Sequence, residues 1–236
     1  MIARNEQLGL YEKAIPYETD WKTKLVSAKE AGFDFFEISI DESKERMLRL
    51  DWDMSQRKEL VNASLKAGLQ IRTMCLSGHR KYPLGSGKKE IENKSLEIMK
   101  KAIDLAAFIG VRIIQIAGYD VYYDEQSCPE TRERFALNLE KSVEMASRVG
   151  IILALETMEN DFMNTVKKAM KFVSMINSPY LKIYPDSGNI ANAVRDVRTD
   201  IMYGDGHIVA AHLKETNPGV FREVPYGMDM WILLKR

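Results

Sequence analysis

The chain has 236 residues, of which 45% are hydrophobic, and this is enough for one large α/β domain with a continuous core. Its 34 basic and 34 acidic residues give a formal net charge of zero, which argues against nucleic acid or an anionic membrane as a partner. Cys75 and Cys128 form neither a disulfide framework nor a zinc motif. The first residues lack an apolar signal core, and no apolar stretch approaches the ~20 residues of a membrane helix, so the sequence predicts a soluble, cytoplasmic protein.

Helical stretches that end on glycine and lead into apolar strands recur four times along the chain. The predicted helices cover residues 19–31, 55–67, 89–109 and 130–149, and they stop at Gly32, Gly68, Gly110 and Gly150. The predicted strands cover residues 8–12, 33–39, 69–76, 111–117, 151–156, 181–186 and 207–213. This alternation predicts right-handed βαβ units, hence a single (β/α)8 TIM barrel over residues 1–236.

Three consecutive predicted strands finish on a residue that can bind a metal ion or move a proton. These residues are Glu156, Asp186 and His212. The carboxyl ends of neighbouring parallel strands lie side by side, so we expect the three side chains to converge. Carboxylate oxygens and an imidazole nitrogen suit a divalent cation. The alternative for each residue alone is that it caps the helix that follows.

The connections at the two ends of the predicted barrel differ in length. Helix-to-strand connections are a single glycine or nearly so, whereas residues 77–87 and 118–125 form long loops after strands three and four. Barrels of this type carry their chemistry on the strand-to-helix loops. The long loops and the three expected ligands therefore share one face.

The end of the chain holds fewer predicted elements than a closed barrel requires. Seven strands are predicted, whereas a barrel of this class has about eight. At the nucleotide level, restoring one base after the first base of the Asp229 codon gives Gly, then His or Tyr, then Val-Asp, and then Phe if Ile232 is encoded by ATT and the Leu233 codon begins with TT. Gly-His-Val-Asp-Phe is a better loop and helix start than the Met-Asp-Met-Trp-Ile of this chain. We therefore expect that a one-base frameshift leaves the domain incomplete after about residue 227. A genuine short C-terminus is the alternative.

With these residues placed, the chain resembles the L-ribulose-5-phosphate (L-xylulose-5-phosphate) 3-epimerases of L-ascorbate utilisation, a branch of the xylose isomerase-like TIM barrels. The resemblance extends over nearly everything up to residue 227. It is carried by GLYEKA at 9–14, MCLSGHR at 74–80, QIAGYDVYY at 115–123, YPDSGN at 184–189, HIVAAHLK at 207–214 and PGVFREVPYG at 218–227.

The resemblance implies a divalent metal (Mn, Mg, Co or Zn) held by Glu156, Asp186, His212 and a glutamate at the end of strand eight, which this sequence lacks. It also implies inversion at C3 of a ketopentose 5-phosphate through an enediolate. Inversion needs one base on each face of the sugar. Glu156 is the candidate for one base, and the missing glutamate would be the other.

Substrate contacts are expected from residues that flank these strand ends. The loop with His79 and Arg80 offers donors and positive charge to a phosphate, and a solvated surface run is the alternative. Asn189 and Lys214 are further candidates, and Arg222 lies where similar sugar epimerases carry a substrate-binding arginine.

The expected partner is a small sugar phosphate, and neither nucleic acid nor a membrane is expected. Assembly into a homodimer is a further possibility that the sequence does not decide. Tyr119, Tyr122 and Tyr123 are candidates for a pocket wall or a subunit contact.

Two other functions remain open at this point. A metal-dependent abasic-site endonuclease would use a related barrel, but three histidines and zero net charge argue against a multi-zinc cluster in a basic groove. The other is a truncated remnant without catalysis that binds sugar phosphate weakly, because a missing strand leaves sheet edges open.

Overall fold

In the part of the chain that the structure describes, a parallel sheet of six strands, ordered as they follow in the sequence, forms the centre of the fold. The computed structural model describes residues 6–221 and 223–225. Each strand pairs in parallel with the next one along the chain, as the βαβ pattern predicted. The strands are β1 (Gly9–Tyr11), β2 (Phe35–Ile40), β3 (Gln70–Leu76), β4 (Ile113–Ala117), β5 (Ile152–Glu156) and β6 (Leu181–Tyr184).

Helices follow the strands and cover the sheet. They are α1 (Trp21–Glu30), α2 (Lys44–Met47), α3 (Met54–Ala67), α4 (Lys89–Ile109), α5 (Pro129–Ser147), α6 (Val166–Ile176), α7 (Ser187–Ala193) and α8 (Val197–Met202). Short 3-10 turns cover Glu12–Ala14, Leu48–Asp51 and Ser77–Arg80. None of the helices in the described part of the chain is long and apolar enough to cross a membrane.

The four predicted helices are confirmed, with small shifts at their ends. Helix α4 has the bounds that the sequence predicted and ends on Gly110, whose φ of 85° is left-handed. Helix α1 starts at Trp21, two residues later than predicted, because the side chain of Asp20 accepts a hydrogen bond from the Thr23 amide and caps the helix there.

The core lies between the sheet and its helices. Strands β2 to β6 are almost wholly buried, as expected of parallel strands that are covered on both faces. Phe135 of α5 is fully buried and packs edge-on against Phe162 and Phe172, with ring centroids 5.1 and 5.3 Å away. These aromatic contacts join α5 to α6 and to the loop after β5.

The predicted seventh strand, residues 207–213, is wrong in its extent. This segment runs alongside β6, but it pairs only through the isolated parallel bridges Ile183 to Ile208 and Asp186 to His212. Pro185 stands between the two bridges and has no backbone N–H, so a continuous ladder cannot form there. The bridge at His212 still places this residue beside Asp186. The expected frameshift after residue 227 lies outside the described residues.

A buried ion cluster closes the carboxyl end of β1. The carboxylate of Glu12 is fully buried and accepts two hydrogen bonds from the guanidinium of Arg49, at 2.6 and 2.7 Å. The ammonium of Lys24 lies 3.3 Å from the same carboxylate, and the backbone amide of Ser39 donates to Oε2 of Glu12 at 2.9 Å. The cluster therefore ties the first strand end to the second.

Candidate active site and metal centre

Glu156, Asp186 and His212 meet at the carboxyl end of the sheet. Glu156 is the last residue of β5, Asp186 follows β6, and His212 lies on the bridged segment beside it. One ligand atom from each residue lies within 4.8 Å of the other two. The structure thus brings together the three residues that the strand-end pattern singled out.

Asp186 serves as a helix cap and faces the site at the same time. Its Oδ1 accepts the Asn189 amide at 2.8 Å and so caps α7, while its own amide donates to the Thr157 hydroxyl at 2.9 Å. Its Oδ2 lies 3.5 Å from the ammonium of Lys214. The capping alternative therefore holds for one oxygen only, and the other oxygen remains available to a ligand.

His212 lies between two carboxylates. Its Nδ1 is 2.6 Å from Oε1 of Glu156, and its Nε2 is 2.7 Å from Oε1 of Glu37. The rings of Tyr11 and Tyr184 lie beside the imidazole, with centroids 5.8 and 4.7 Å away. The ring is therefore held both by hydrogen bonds and by aromatic packing.

Glu37 also belongs to this site, and the sequence leaves it open as a substrate contact while favouring a structural role. It lies on β2, is 3% exposed, and its Oε2 accepts hydrogen bonds from Thr73 at 2.6 Å and from Tyr184 at 2.9 Å. The signal was an acidic residue near the end of a predicted apolar strand, and it did not indicate the contact with His212.

Glu156 is fixed through its side chain and its backbone. The side-chain amide of Gln115 donates to its Oε2. Gly118 lies so close that an added Cβ would be 2.6 Å from the Glu156 carbonyl oxygen and 2.8 Å from the Met163 side chain. Only a residue without a side chain fits there without moving its neighbours.

The loop after His212 is held against α7 in a similar way. A Cβ at Gly188 would lie 2.6 Å from the Thr216 methyl and 2.7 Å from the carbonyl oxygen of Lys214. The Thr216 hydroxyl donates to the Gly188 carbonyl at 3.0 Å. The backbone at Lys214 therefore packs against the first turn of helix α7.

The charges of the site compensate one another only in part. Burial raises the pKa of Glu156, and it also raises the pKa of Asp186. Burial alone would lower the pKa of His212, but Glu37 and Glu156 raise it well above its usual value. Two buried carboxylates with raised pKa values beside an imidazole form a site that favours added positive charge. The oxygen and nitrogen donors fit a divalent metal ion.

Asn189 and Lys214, both predicted to bind substrate, lie at this site. The ammonium of Lys214 donates to Oδ1 of Asn189 at 2.6 Å, and the side-chain amide nitrogen of Asn189 donates to the Thr157 carbonyl at 2.8 Å. Asn189 is 2% exposed, whereas the side chain of Lys214 is 32% exposed.

His79 and Arg80 have different surroundings. His79 is buried, with Nε2 3.1 Å from the Ser95 carbonyl, and burial lowers its pKa to about 4. The guanidinium of Arg80 lies over the rings of Tyr119 and Tyr122, at 5.7 and 5.2 Å. Arg80 lines a cavity of about 550 Å³. Arg222 lies outside the described residues.

A parallel sheet with acidic and imidazole side chains at the carboxyl ends of neighbouring strands has the plan of a (β/α) barrel enzyme, whose active site lies at that face. A family model described as "Xylose isomerase-like TIM barrel" matches residues 25–233, and the chain belongs to this family. Within it, the chain is 48% identical over 227 residues to the L-ribulose-5-phosphate 3-epimerase UlaE of Escherichia coli O139:H28 (strain E24377A / ETEC) and to that of Shigella flexneri. These alignments cover 96% of this chain and 80% of each relative. The predicted family is thereby confirmed, and the chain is an isomerase of the epimerase kind.

Solved structures of epimerases share the fold. The apo form of 3-keto-D-glucoside 4-epimerase YcjR from E. coli superposes with a TM-score of 0.78 at 18% identity, covering 95% of this chain and 83% of that one. D-psicose 3-epimerase in the presence of D-fructose gives a TM-score of 0.79 at 16% identity, covering 95% and 77%. An L-ribulose 3-epimerase gives 0.73 at 19% identity, covering 89% and 70%. At these identities the likeness concerns the fold.

Proposed function

We propose that this chain inverts C3 of a ketopentose 5-phosphate and interconverts L-ribulose 5-phosphate and L-xylulose 5-phosphate. The observation that carries the proposal is the convergence of Glu156, Asp186 and His212 in a chain 48% identical to L-ribulose-5-phosphate 3-epimerases. The proposal also includes that this sugar-phosphate enzyme is cytoplasmic and acts as a homodimer. Light scattering on the purified chain tests the dimer.

The three residues would hold a divalent cation. Such a cation supplies a Lewis acid for the ketone and hydroxyl oxygens of the sugar and thereby makes the C3 proton more acidic. His212 would bind it as a neutral imidazole. Its Nδ1, 2.6 Å from Glu156, faces the carboxylates.

Glu156 would act as the base on one face of the sugar. Burial raises the pKa of this carboxyl, which brings a carboxylate nearer to the proton affinity that proton transfer at neutral pH requires. The hydrogen bond from Gln115 to Oε2 and the contact of Oε1 with His212 hold this carboxylate in one orientation at the site. Inversion through an enediolate also requires a second acid group that delivers a proton to the opposite face, the role that the resemblance gives to a glutamate of strand eight.

Lys214 and Asn189 would bind the sugar hydroxyls near the reacting carbons. The ammonium bridges Asp186 and Asn189, so a hydroxyl that enters there meets both a donor and an acceptor. Arg80 would bind the phosphate, because its Nε has no hydrogen-bond partner among the described residues and Lys81 and Lys88 line the same cavity. His79 would then hold this loop against helix α4, through the 3.1 Å contact of its Nε2 with the Ser95 carbonyl.

The test is hydrogen exchange at C3. Purified protein is incubated with L-xylulose 5-phosphate and Mn²⁺ in D₂O, Mn²⁺ is removed with a chelator, and the C3 proton is followed by NMR. Deuterium uptake with inversion supports the proposal, and exchange without inversion leaves Glu156 as a single base. Absence of exchange with Mn²⁺, Mg²⁺, Co²⁺ and Zn²⁺ alike overturns it and supports the truncated remnant.

Matched variants locate the phosphate. Arg80→Gln should raise KM for the phosphorylated sugar at least tenfold and leave turnover of unphosphorylated L-xylulose unchanged. Lys141→Gln removes a cation from helix α5 and is the control. Equal effects of Arg80→Gln on both sugars would place the phosphate elsewhere.

A further inference from the structure

The buried carboxylate of Glu37 faces the ring nitrogen of His212 that points away from Glu156. Its Oε1 is 2.7 Å from Nε2, on the opposite side of the imidazole from the 2.6 Å contact between Nδ1 and Glu156. Glu37 comes from β2 and His212 from the segment beside β6, so the contact spans the interior of the barrel.

The surroundings of Glu37 decide which proton His212 keeps. Thr73 and Tyr184 both donate to Oε2 of Glu37, so this carboxylate is held in one orientation. An ionised carboxylate accepts hydrogen bonds and donates none, and its remaining oxygen therefore requires N–H on Nε2. A neutral imidazole carries a single ring proton, and its Nδ1 then presents a lone pair toward Glu156 and Asp186.

We propose that Glu37 is the positioning residue of this centre: it holds the proton of His212 on Nε2 and so selects Nδ1 as the atom that binds the metal. The inference rests on the proposed function and adds to it a residue that acts through the ligand. Metal-binding histidines in general donate their second ring N–H to a carboxylate or carbonyl, and loss of that acceptor weakens metal affinity about 10–100-fold.

The first test measures metal affinity. Zn²⁺ is titrated by calorimetry into the wild-type chain and into Glu37→Leu, Glu37→Gln and Asp120→Asn. Glu37→Leu removes the acceptor, and we expect Zn²⁺ binding to weaken about 10–100-fold. Glu37→Gln keeps an oxygen that accepts from Nε2–H, and it should recover most of that loss. A role of Glu37 in folding alone would not favour Gln over Leu in metal affinity once both proteins are folded.

Asp120→Asn is the matched control. Asp120 is also a buried carboxylate, 1% exposed, that accepts hydrogen bonds from hydroxyl groups, here those of Ser127 and Thr131. Its replacement should leave Zn²⁺ affinity unchanged.

The second test observes the proton on the wild-type ring and needs no variant to fold. The chain contains three histidines, so long-range ¹H–¹⁵N spectra of the Zn²⁺-loaded protein resolve His212 from His79 and His207. We expect a protonated Nε2 and a Zn²⁺-shifted Nδ1.

The outcomes distinguish failure of this inference from failure of the proposed function. If wild-type protein binds Zn²⁺ but shows a protonated Nδ1, or if Glu37→Leu binds as tightly as wild type, the inference is refuted and the metal centre stands. If wild-type protein binds neither Zn²⁺ nor Mn²⁺, the metal-dependent function and the inference fail together.

Discussion

Replacing the buried carboxylate of Glu12 should destabilise the chain strongly. Glu12→Gln keeps the shape of the side chain but removes the negative charge that faces Arg49 and Lys24, whose side chains are 4% and 2% exposed. Breaking a buried ion pair by removing one partner costs about 3–5 kcal/mol, because the remaining charge is left without compensation. A domain of ordinary stability, about 5–15 kcal/mol, would lose about a fifth of it or more.

Urea unfolding measures this loss, with Glu30→Gln as the control. Glu30 ends α1 on the exposed surface, where a substitution changes the free energy of unfolding by about 0.5 kcal/mol at most. Equal m-values show that both proteins unfold from equally compact states. A loss below about 1 kcal/mol for Glu12→Gln, with an unchanged m-value, would refute the assignment of Glu12 as the counter-charge of Arg49.

The pH dependence gives a second check on the same cluster. Burial raises the pKa of Glu12, but the hydrogen bonds and charge of Arg49 outweigh it, so that the pKa in the folded state is lowered. A carboxyl whose pKa is lowered by folding contributes stability above its unfolded pKa of about 4.3, and the contribution is lost as the pH falls below that value. The acid limb of the stability curve should therefore be shallower for Glu12→Gln than for the wild-type chain.

Three further predictions concern the metal centre and the core. Gly118→Ala should weaken Zn²⁺ binding measured by calorimetry, because the new Cβ would lie 2.6 Å from the Glu156 carbonyl oxygen; unchanged affinity would mean that this backbone yields at no cost. Metal affinity should fall about tenfold per pH unit below the pKa of His212, which Glu37 and Glu156 raise in the metal-free chain, since the ring must lose a proton to bind. A pH titration of Mn²⁺ affinity checks this, and a flat profile from pH 6 to 8 would contradict it. Phe135→Ala should cost about 3–5 kcal/mol in urea unfolding, whereas Leu137→Ala, at a residue 51% exposed on the same helix, should cost about 0.5 kcal/mol or less.

The sequence predicted those features that depend on local pattern. Helix α4 has the predicted bounds because its apolar period and the glycine at its end are both short-range signals. The convergence of Glu156, Asp186 and His212 also followed from local pattern, because parallel strands place their carboxyl ends together.

The features that the sequence did not predict depend on contacts between distant elements. The bond between Glu37 and His212 joins residues 175 positions apart, and no periodicity connects them. Arg49 likewise reaches Glu12 from a turn 37 residues further along the chain. The seventh strand was predicted too long because apolar composition was weighed there without the missing N–H of Pro185.

The close packing of the Lys214 backbone against Gly188 affects how a cation can reach Asp186. The ammonium of Lys214 lies 3.5 Å from Oδ2 of Asp186, where an arriving cation would compete with it. Because the backbone of Lys214 is seated on helix α7, the ammonium leaves by rotation of its own side chain, which is 32% exposed. Such rotations take picoseconds to nanoseconds, whereas loop movements take nanoseconds to microseconds. The ammonium can therefore leave Asp186 without any movement of the backbone that carries it, so an arriving cation does not have to wait for that backbone to move.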